Sequence, residues 1–525
     1  MQTIITFIGF LGFVAIYSFL KLRKEKLSSS EGYFLGGRSL TGIVIAGSML
    51  LTNISTEHLI GMNGSSYKNG FIIIAWEVTS ALALVAAAMY FVPRYLKMGL
   101  TTIPEFLEKR FDKTTRTLVA FFLIISFVVT LLPIVLYTGA INLESIFNIS
   151  DVLEVSKAQG LWITVVSIGV IGSIYAIFGG LKAVAVSDTI NGYGLLLGGL
   201  AIPVLALISI GDGNMVDGLI KVYKNSPEKF NVVGARDSIM PFEVLFTGLI
   251  INQIYFWAMN QTIIQRALGS KNLVEAQKGL LYAGVLKILV PLIIILPGVI
   301  GYYYFGDSLY MNQDMIYPEL IKKVLPLSLV GIFAAIVMGA VLSTFNSVLN
   351  SAATIFTIDI YKGFFTNESD GKHLVRVGKI TSTVLAIFSI AVAPFVANAP
   401  DGLYQLLQQL NGIFFIPIAS IMIAGFFIKK ISATGAKVSL FVGLIFYITM
   451  TFIIESNIHF VHIWGIEFLL NMTTMLLVSK YYPSVDKFNF AELEVNDLVQ
   501  WKYTKPMSLA LCTITITIYI LLGSF

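Results

Sequence analysis

The stretch SMLLTNISTEHLIGMNGSS, residues 48–66, is an apolar segment with a polar interruption. Five polar residues interrupt an apolar segment, which then resumes; they are Asn53, Ser55, Thr56, Glu57 and His58. Successive polar residues cover every face of a helix, so they cannot share one stripe that avoids lipid. A locally unwound helix explains the pattern, because broken membrane helices offer free carbonyls and amide ends to ions and solutes. The alternative is an intact helix buried on all sides by other helices.

The composition of the rest of the chain shows that its solvent is lipid. Of the 525 residues, 56% are hydrophobic and only 12% are charged, whereas soluble proteins carry about 25% charged residues. Mean hydropathy is +0.82. These values exclude a soluble enzyme, a nucleic-acid-binding protein and a secreted disulfide scaffold. The single cysteine, Cys512, excludes an intrachain disulfide.

The apolar runs predict an all-α membrane protein, since isolated strands cannot satisfy their backbone in hydrocarbon. The run at 320–361 is long enough to contain a second short helix. We predict about 14 transmembrane helices, at residues 3–20, 41–62, 70–93, 117–147, 159–179, 184–210, 243–266, 280–305, 320–361, 377–398, 402–428, 436–454, 457–479 and 507–524.

The distribution of positive charge predicts the orientation. With the N-terminus outside, the inside loops hold 26 of the 35 Lys and Arg residues and the outside loops hold eight. This asymmetry agrees with the rule that cytoplasmic loops are positively charged. Both termini are then outside. Charges follow the first apolar run instead of preceding it, which indicates an uncleaved first span. The inside loops are 21–40, 94–116, 180–183, 266–279, 362–379, 429–437 and 480–506.

Two ionisable residues stand alone in apolar spans. Glu77 is followed three residues later by Ser80, which lies on the same helical face, and Lys287 lies in a separate span. Charged residues within a span are costly, so these should face a cavity or each other. Charge chemistry alone leaves two readings open: a structural ion pair, or a shared polar ligand.

Two further clusters are polar but uncharged. Hydroxyls at Ser343, Thr344, Ser347 and Ser351 suit a hard cation such as sodium, although such residues also pack between membrane helices. The amides Gln405, Gln408, Gln409 and Asn411 suit a hydroxyl-bearing ligand or bonding between helices.

Metal and enzyme motifs are weak in this sequence. His459, His462 and Glu467 could be read as metal ligands, but they lie near the outer end of a span without a carboxylate cluster, so we favour packing. The chain has no HExxH motif on a span, no Walker loop and no GxSxG motif. We therefore predict that the protein is not an enzyme.

Seven segments together resemble the sodium/solute symporter family, and most of all its sodium/sugar branch, which includes the bacterial sodium/galactose symporter and the animal sodium/glucose cotransporters. The resemblance covers nearly the whole chain. In order, the segments are NISTEHLIGMNGSSY (53–67), AWEVTSA (75–81), TTIPEFLEKRF (101–111), YAIFGGLKAVAVSD (175–188), NQTIIQRALGSKNLVEAQKG (260–279), LKILVPLIIILPG (286–298) and LNSAATIFTIDIYK (349–362).

The resemblance implies the leucine-transporter architecture, which is two inverted repeats of five helices with extra helices at both ends. On this basis residues 1–40 form the first extra span and an inner loop, 41–211 the first repeat, 212–240 an outer loop, 241–428 the second repeat, and 429–525 the C-terminal extra spans.

The resemblance also implies the site residues. A sodium ion would be held by the carbonyls of Leu51, Ile54 and Ala340 and the hydroxyls of Ser343 and Thr344. Asp188, Asn346 and Ser347 would line the ion exit route or a second sodium site, and we favour a single sodium ion. Tyr404 matches the outer gate, while Phe256, with Tyr255 beside it, falls where the sugar branch has a tyrosine at the inner gate. The implied sugar site consists of Glu57, His58, Glu77, Ser80, Gln253, Lys287 and Gln408.

We therefore predict sodium-coupled symport of a neutral, glucose-like or galactose-like sugar into the cell by alternating access. The predicted partners are the sugar, the sodium ion and the lipid bilayer of a bacterial inner membrane, with no organic cofactor and no nucleic acid; the chain would be a monomer or a weak homodimer. Three alternatives stay open: a carrier of the same family for myo-inositol, sialic acid or an amino acid, a sugar-gated sodium channel or sensor, and an intramembrane enzyme.

Overall fold

A computed structural model describes residues 2–22, 29–365, 370–398, 403–454, 456–484, 488 and 498–523. Throughout these residues the secondary structure is helical, and the one β pairing among them is an isolated bridge between Leu40 and Ser270. Five helices contain a π-helical segment, and short 3₁₀ turns connect others. The α-helices are Gln2–Leu22, Ser30–Leu35, Gly42–Asn53, Asn63–Asn69, Ala75–Val78, Ser80–Ala86, Val92–Lys97, Pro104–Arg110, Lys113–Ile125, Leu132–Phe147, Ile149–Val152, Lys157–Ile210, Met215–Asn225, Gly248–Ala258, Gln261–Leu268, Leu273–Phe305, Ile316–Val324, Leu327–Ile355, Lys362–Phe364, Gly371–Val392, Leu403–Phe427, Ala433–Ile448, Phe460–Tyr481 and Thr504–Leu522.

Eleven helices in the described part of the chain are long and apolar enough to cross a membrane, and two shorter apolar helices lie at 2–18 and Gly42–Asn53. The fold class is therefore the predicted one, while the number 14 stays a prediction. The long run at 320–361 is divided between two helices: Ile316–Val324, which begins before the run, and Leu327–Ile355.

One long helix, Lys157–Ile210, joins two predicted spans through a bend at Gly180. Gly180 has φ +60° and ψ −173°, and a Cβ atom there would lie 2.8 Å from the carbonyl oxygen of Tyr33. Only glycine accepts this backbone shape in so little space. The bend thus replaces the inside loop predicted at 180–183.

The first core helix is interrupted where its polar residues predict. It runs over Gly42–Asn53, leaves helical geometry at Ile54 (φ −84°, ψ 100°), and resumes as the π-helical turn Glu57–Met62 followed by Asn63–Asn69. We call residues 42–69 the broken helix. The Thr56 hydroxyl pairs with that of Thr138 at 2.7 Å, which ties the interruption to helix Leu132–Phe147.

A second interruption occurs in the other half of the chain. Helix Gly248–Ala258 ends at Met259, and helix Gln261–Leu268 begins after Asn260, whose side chain caps it by accepting from the Thr262 amide at 2.9 Å. We call residues 248–268 the second broken helix. Three further helices surround the two interruptions, namely the Lys287 helix (Leu273–Phe305), the hydroxyl helix (Leu327–Ile355) and the Gln408 helix (Leu403–Phe427).

Candidate functional site

A buried cavity lies between the two broken helices, the Lys287 helix, the hydroxyl helix and the Gln408 helix. Eight of the residues predicted for the sugar and gate positions line it: Glu57, His58, Glu77, Gln253, Phe256, Lys287, Tyr404 and Gln408. Thr344, predicted for sodium, lines it as well. The structure therefore brings residues that are separated by up to 351 positions in the sequence into one chamber.

Lys287 and Glu77 form a buried ion pair in this cavity, and Lys287 is 1% exposed. The Lys287 ammonium also donates to the Asn53 side-chain oxygen at 2.6 Å and lies 5.4 Å from the Trp257 ring centroid. Two charges are costly to bury unless additional hydrogen bonds accompany the pairing. The break after Asn53 allows its amide to provide such a bond, so the interruption and the ion pair support each other.

Several acceptors in the cavity remain without a donor. Among the described residues, no hydrogen-bond partner reaches Glu57 Oε2, Asn252 Oδ1 or Asn411 Oδ1, although all three atoms are buried. His58 lies 3.5 Å from Glu57 Oε1 and 3.8 Å from Glu77 Oε1. Buried polar atoms are nearly always hydrogen-bonded in native proteins. Three orphaned acceptors that line one cavity therefore favour a ligand that supplies donors.

Two rings separate this cavity from a second, more open one. Tyr404 and Trp76 line both cavities, and their ring centroids are 5.9 Å apart. The Tyr404 ring also meets the His58 ring edge-to-face at 5.3 Å, and the Gln408 amide donates to the Tyr404 hydroxyl at 2.8 Å. Lys68, Asn69, Gln313 and Gln405 are among the residues that line the second cavity. The second cavity has a volume of about 430 Å³, and the predicted orientation would place it on the outer side of the membrane, so we call it the vestibule.

The predicted sodium ligands lie where the broken helix meets the hydroxyl helix. The Thr344 hydroxyl donates to the carbonyl of Thr52 at 3.0 Å and lies 3.4 Å from that of Leu51. Ala340 precedes Thr344 by one turn, and the buried Ser343 hydroxyl faces the Asp188 carboxyl. Because the helix ends at Asn53, its last carbonyls have no amide to accept from within the helix.

A buried arginine occupies the place predicted for ion exit. Asp188 accepts from the Ser48 hydroxyl at 2.8 Å and lies 3.7 Å from the Arg266 guanidinium. Arg266 also donates to Ser48 at 3.1 Å and to the Ser347 hydroxyl, which pairs with Thr52 at 3.1 Å. Arg266, predicted to lie where the span 243–266 meets the inside loop 266–279, is within helix Gln261–Leu268, and its side chain is fully buried.

Nine of the predicted site residues lie outside the cavity lining. Six belong to the ion region described above, namely Leu51, Ile54, Ala340, Ser343, Asp188 and Ser347, and the other three are Ser80, Tyr255 and Asn346. Ser80 is buried and its hydroxyl donates to the Glu77 carbonyl. Tyr255 packs its ring 4.5 Å from that of Phe415. Asn346 lines a separate apolar pocket next to helix Gln2–Leu22.

Sequence reasoning did not include several residues that line the cavity. Asn53 and Asn411 belong to polar clusters that the sequence does show, and Asn252 and Trp257 lie in the segment NQIYFWAMNQ (252–261), so a signal existed for these four. The lining residues that were not predicted are Thr52, Asn53, Trp76, Leu131, Asn252, Trp257, Thr262, Val348, Leu407, Asn411 and Phe415.

Comparison with known proteins shows the class to which this site belongs. The model of the Sodium:solute symporter family matches residues 33–443, so the chain belongs to that family. It is a sodium-coupled transporter of small solutes in a membrane and not an enzyme.

Individual relatives include proteins with and without a named solute. The chain is 43% identical to the uncharacterized symporter YidK of Escherichia coli (strain K12) over 99% of its own length and 91% of that protein. It is 33% identical to the sodium/glucose cotransporter of Vibrio parahaemolyticus, covering 82% of this chain and 81% of that one. The sodium/myo-inositol cotransporter of Bos taurus is 29% identical over 81% of this chain and 63% of its own.

A solved structure supports the architecture. A sodium-coupled sialic acid symporter in a substrate-bound outward-open state superposes with a TM-score of 0.77, covering 93% of this chain and 99% of that one at 19% identity. The fold is thus the predicted leucine-transporter type.

Proposed function

We propose that this symporter imports a neutral solute rich in hydroxyl groups, a sugar or a related cyclic polyol. The observation that carries the proposal is which charged groups in the cavity already have partners and which do not. Lys287 is already engaged by Glu77 and Asn53, while the Glu57 carboxyl has an oxygen without a donor. A solute hydroxyl supplies that donor. A solute carboxylate would instead add negative charge beside two acidic side chains whose one cation partner is taken.

The relatives agree with this choice of solute class. Two of them are named for glucose and for myo-inositol, which are both neutral polyols. The structural neighbour is named for sialic acid, which carries a carboxylate, and this makes an acidic solute the principal rival. A sugar-gated sodium channel or sensor is the second rival.

We propose that sodium binds between the broken helix and the hydroxyl helix. The ligands would be the carbonyls of Leu51, Ile54 and Ala340 and the hydroxyls of Ser343 and Thr344. The Thr344 contact with the Leu51 carbonyl and the position of Ser343 directly before Thr344 support the proposal, since five neutral oxygens suit a hard monovalent cation. Binding there would hold the broken helix in place and so fix Asn53, which lies between the ligands Leu51 and Ile54, and Glu57, which follows Ile54 by three residues.

The proposed cycle uses the contacts that close the cavity on either side. Tyr404 would swing away from Trp76 and His58 to admit the solute from the vestibule. On the other side, separation of Arg266 from Asp188 would open the path for sodium, with Phe256 moving as the solute leaves. The ion would pass Asp188 because a carboxylate released from its guanidinium attracts a cation.

Counterflow in proteoliposomes tests the proposal directly. Proteoliposomes that contain the purified protein and are preloaded with unlabelled solute should take up labelled glucose, galactose or myo-inositol in exchange, and only when sodium is present. Labelled sialic acid should exchange more slowly than at least one neutral polyol. Sodium-independent exchange, or a preference for the acidic solute, would contradict the proposal.

A further inference from the structure

The structure contains a buried carboxyl that the transport cycle does not use. Glu467 lies in helix Phe460–Tyr481, is 0% exposed, and has no hydrogen-bond partner for either carboxyl oxygen among the described residues. No ion pair of the described residues includes it. One turn further along the same face, Asn471 is equally buried, and its side-chain oxygen also lacks a donor. Three acceptor atoms of the described residues therefore lie along one helix face without a donor, and one buried donor without a partner, the Trp464 indole N–H, lies a turn before Glu467.

The surroundings of Glu467 explain why no cation reaches it. Its helix packs against helix Ala433–Ile448, against the Gln408 helix and against the outer half of the second broken helix. Glycines allow this close packing: a Cβ at Gly443 would lie 2.6 Å from the Asn471 amide, and one at Gly412 would lie 2.7 Å from the Tyr447 hydroxyl. The Asn471 amide donates to Ser420 at 3.4 Å. The site is a tight polar seam between three helices in the apolar part of the bundle.

The titratable groups around the seam supply no compensating charge. Tyr447, on the packed helix Ala433–Ile448, is a neutral phenol whose hydroxyl donates to the Gln409 carbonyl at 2.9 Å. The others on the packed helices are engaged elsewhere: Tyr404 with Gln408, Tyr255 with Phe415, His462 with Thr247, and Lys437 with Asp112.

We propose that Glu467 is a proton-binding site, occupied in this conformation, that lies outside the solute and sodium path. A proton removes the unfavourable charge, and it converts one of the three orphaned acceptors into a donor for another. A sodium ion would also satisfy acceptors, but the proton does so without needing the further oxygen ligands that a cation requires.

The site is linked to the gate by a short chain of contacts. Tyr447 lies on the helix that packs against the helix of Glu467, and its hydroxyl donates to the carbonyl of Gln409, which follows Gln408 on the helix that carries Tyr404. Loss of the proton would place a charge beside Tyr447 and loosen this contact. The protein should therefore lose stability when rising pH removes the proton from Glu467.

Infrared difference spectroscopy of the full chain in lipid nanodiscs tests the proposal without any transport assay. The spectrum of the wild type minus that of Glu467→Gln should show the carbonyl stretch of a protonated carboxyl at about pH 7. The same subtraction with Glu228→Gln, an exposed outer-loop acid, should show only ionised carboxylate bands. Glu467→Asp keeps an acid and should shift the band without removing it.

The spectra distinguish a proton from a sodium ion at Glu467. A protonated band that is insensitive to sodium supports the proposal. Carboxylate bands in the Glu467→Gln difference would overturn it, and so would a band that disappears on adding sodium, since the cation would then be the occupant. Thermal melting gives a second readout: with rising pH the wild type should lose stability relative to Glu467→Gln. Equal pH dependence of the two proteins would contradict the proposal.

Discussion

At the scale of single residues, the Lys287–Glu77 pair organises the cavity. The pair joins helix Ala75–Val78, which carries Glu77, to the Lys287 helix. Asn53 adds the broken helix, because its side chain accepts from Lys287. Removing one partner of a buried pair leaves an uncompensated charge and typically costs about 3–5 kcal/mol. Replacing both partners with neutral residues removes that penalty.

We expect Lys287→Met to lower the melting temperature of the purified protein strongly, because Glu77 then lies buried without its cation. The double variant Lys287→Met with Glu77→Gln should recover most of the stability but none of the solute exchange. Thermal melting and counterflow measure the two properties separately. Recovery of exchange in the double variant would show that the pair is structural only.

We expect Ser343→Ala to raise the sodium concentration for half-maximal uptake by about tenfold, the equivalent of about 1.4 kcal/mol, since one proposed ligand is lost. The solute preference should stay the same. Ser389→Ala is the matched control, because the Ser389 hydroxyl is buried in a span but donates only to its own helix at Leu385. An unchanged sodium requirement in Ser343→Ala would remove this residue from the ion site.

We expect Gln408→Ala to raise the solute concentration for half-maximal uptake by about tenfold, because a hydrogen-bonding amide leaves the cavity and Tyr404 loses its bond. Sodium binding should survive. Gln405→Ala is the control, since Gln405 lies in the same helix but lines the vestibule and not the cavity. Equal effects of the two substitutions would point to the helix as a whole and not to Gln408.

The sequence could predict many of these residues but not their partners. Glu77 and Lys287 are conspicuous because each interrupts a long apolar run. Their pairing with each other depends on how three helices pack, and so does the hydrogen bond from Lys287 to Asn53. Arg266 shows the opposite case: it lies at the end of a predicted span, where an arginine normally reaches the interface. Its burial follows from Asp188, 78 positions away, which no local pattern reveals.

Among the helices and other elements, the two broken helices are both interrupted in the structure, but only the first interruption is conspicuous in the sequence. The first shows five polar residues within six positions and could be predicted. The second occurs at Asn260, one of several scattered amides in the run of residues 243–266, and such residues are tolerated in an intact helix. The break depends on the Asn260 cap and on the Gln261 side chain, which accepts from the Ile103 amide at 2.9 Å.

Packing of the outer half of the first broken helix depends on one glycine of the Lys287 helix. A Cβ at Gly298 would lie 2.0 Å from the Ser66 hydroxyl and 2.4 Å from the Asn63 carbonyl. Nearby, Asn63 and Ser66 donate to the carbonyls of Ile294 and Ile295 at 2.7 and 3.1 Å. The two helices are therefore in direct backbone contact.

We expect Gly298→Ala to destabilise the protein by about 1–3 kcal/mol, because the added methyl group forces these helices apart. Thermal melting measures the effect. Gly194→Ala is the control: it also lies in a span, but its Cβ would make only ordinary contacts, at 3.4 Å or more. A Gly298→Ala protein as stable as Gly194→Ala would mean that the outer half of the broken helix is held less closely than the structure shows.

At the scale of the whole molecule, composition and charge predicted an all-helical membrane protein, and the structure and family confirm that class. The repeat boundaries at 41–211 and 241–428 remain a proposal; they are supported by the position of one broken helix near the start of each. The placement of both termini outside, the bacterial inner membrane and the monomer or weak homodimer are proposals too. Hydropathy locates the spans, but it does not reveal the repeats, because two inverted repeats can share a fold without sharing a sequence pattern.

The energetics allow a single coupled ion. One charge that crosses 100 mV contributes about 2.3 kcal/mol, and a tenfold sodium gradient adds about 1.4 kcal/mol. Together they could sustain roughly a 500-fold gradient of a neutral solute. One proposed sodium site is therefore sufficient for concentrative uptake.

Accumulation of labelled neutral polyol in proteoliposomes under an inward sodium gradient is the most direct test of the central claim. We predict accumulation above the external concentration that collapses when a sodium ionophore removes the gradient and that is lost in Lys287→Met with Glu77→Gln. Sodium current without solute accumulation, or uptake that persists without sodium, would contradict coupling through this cavity.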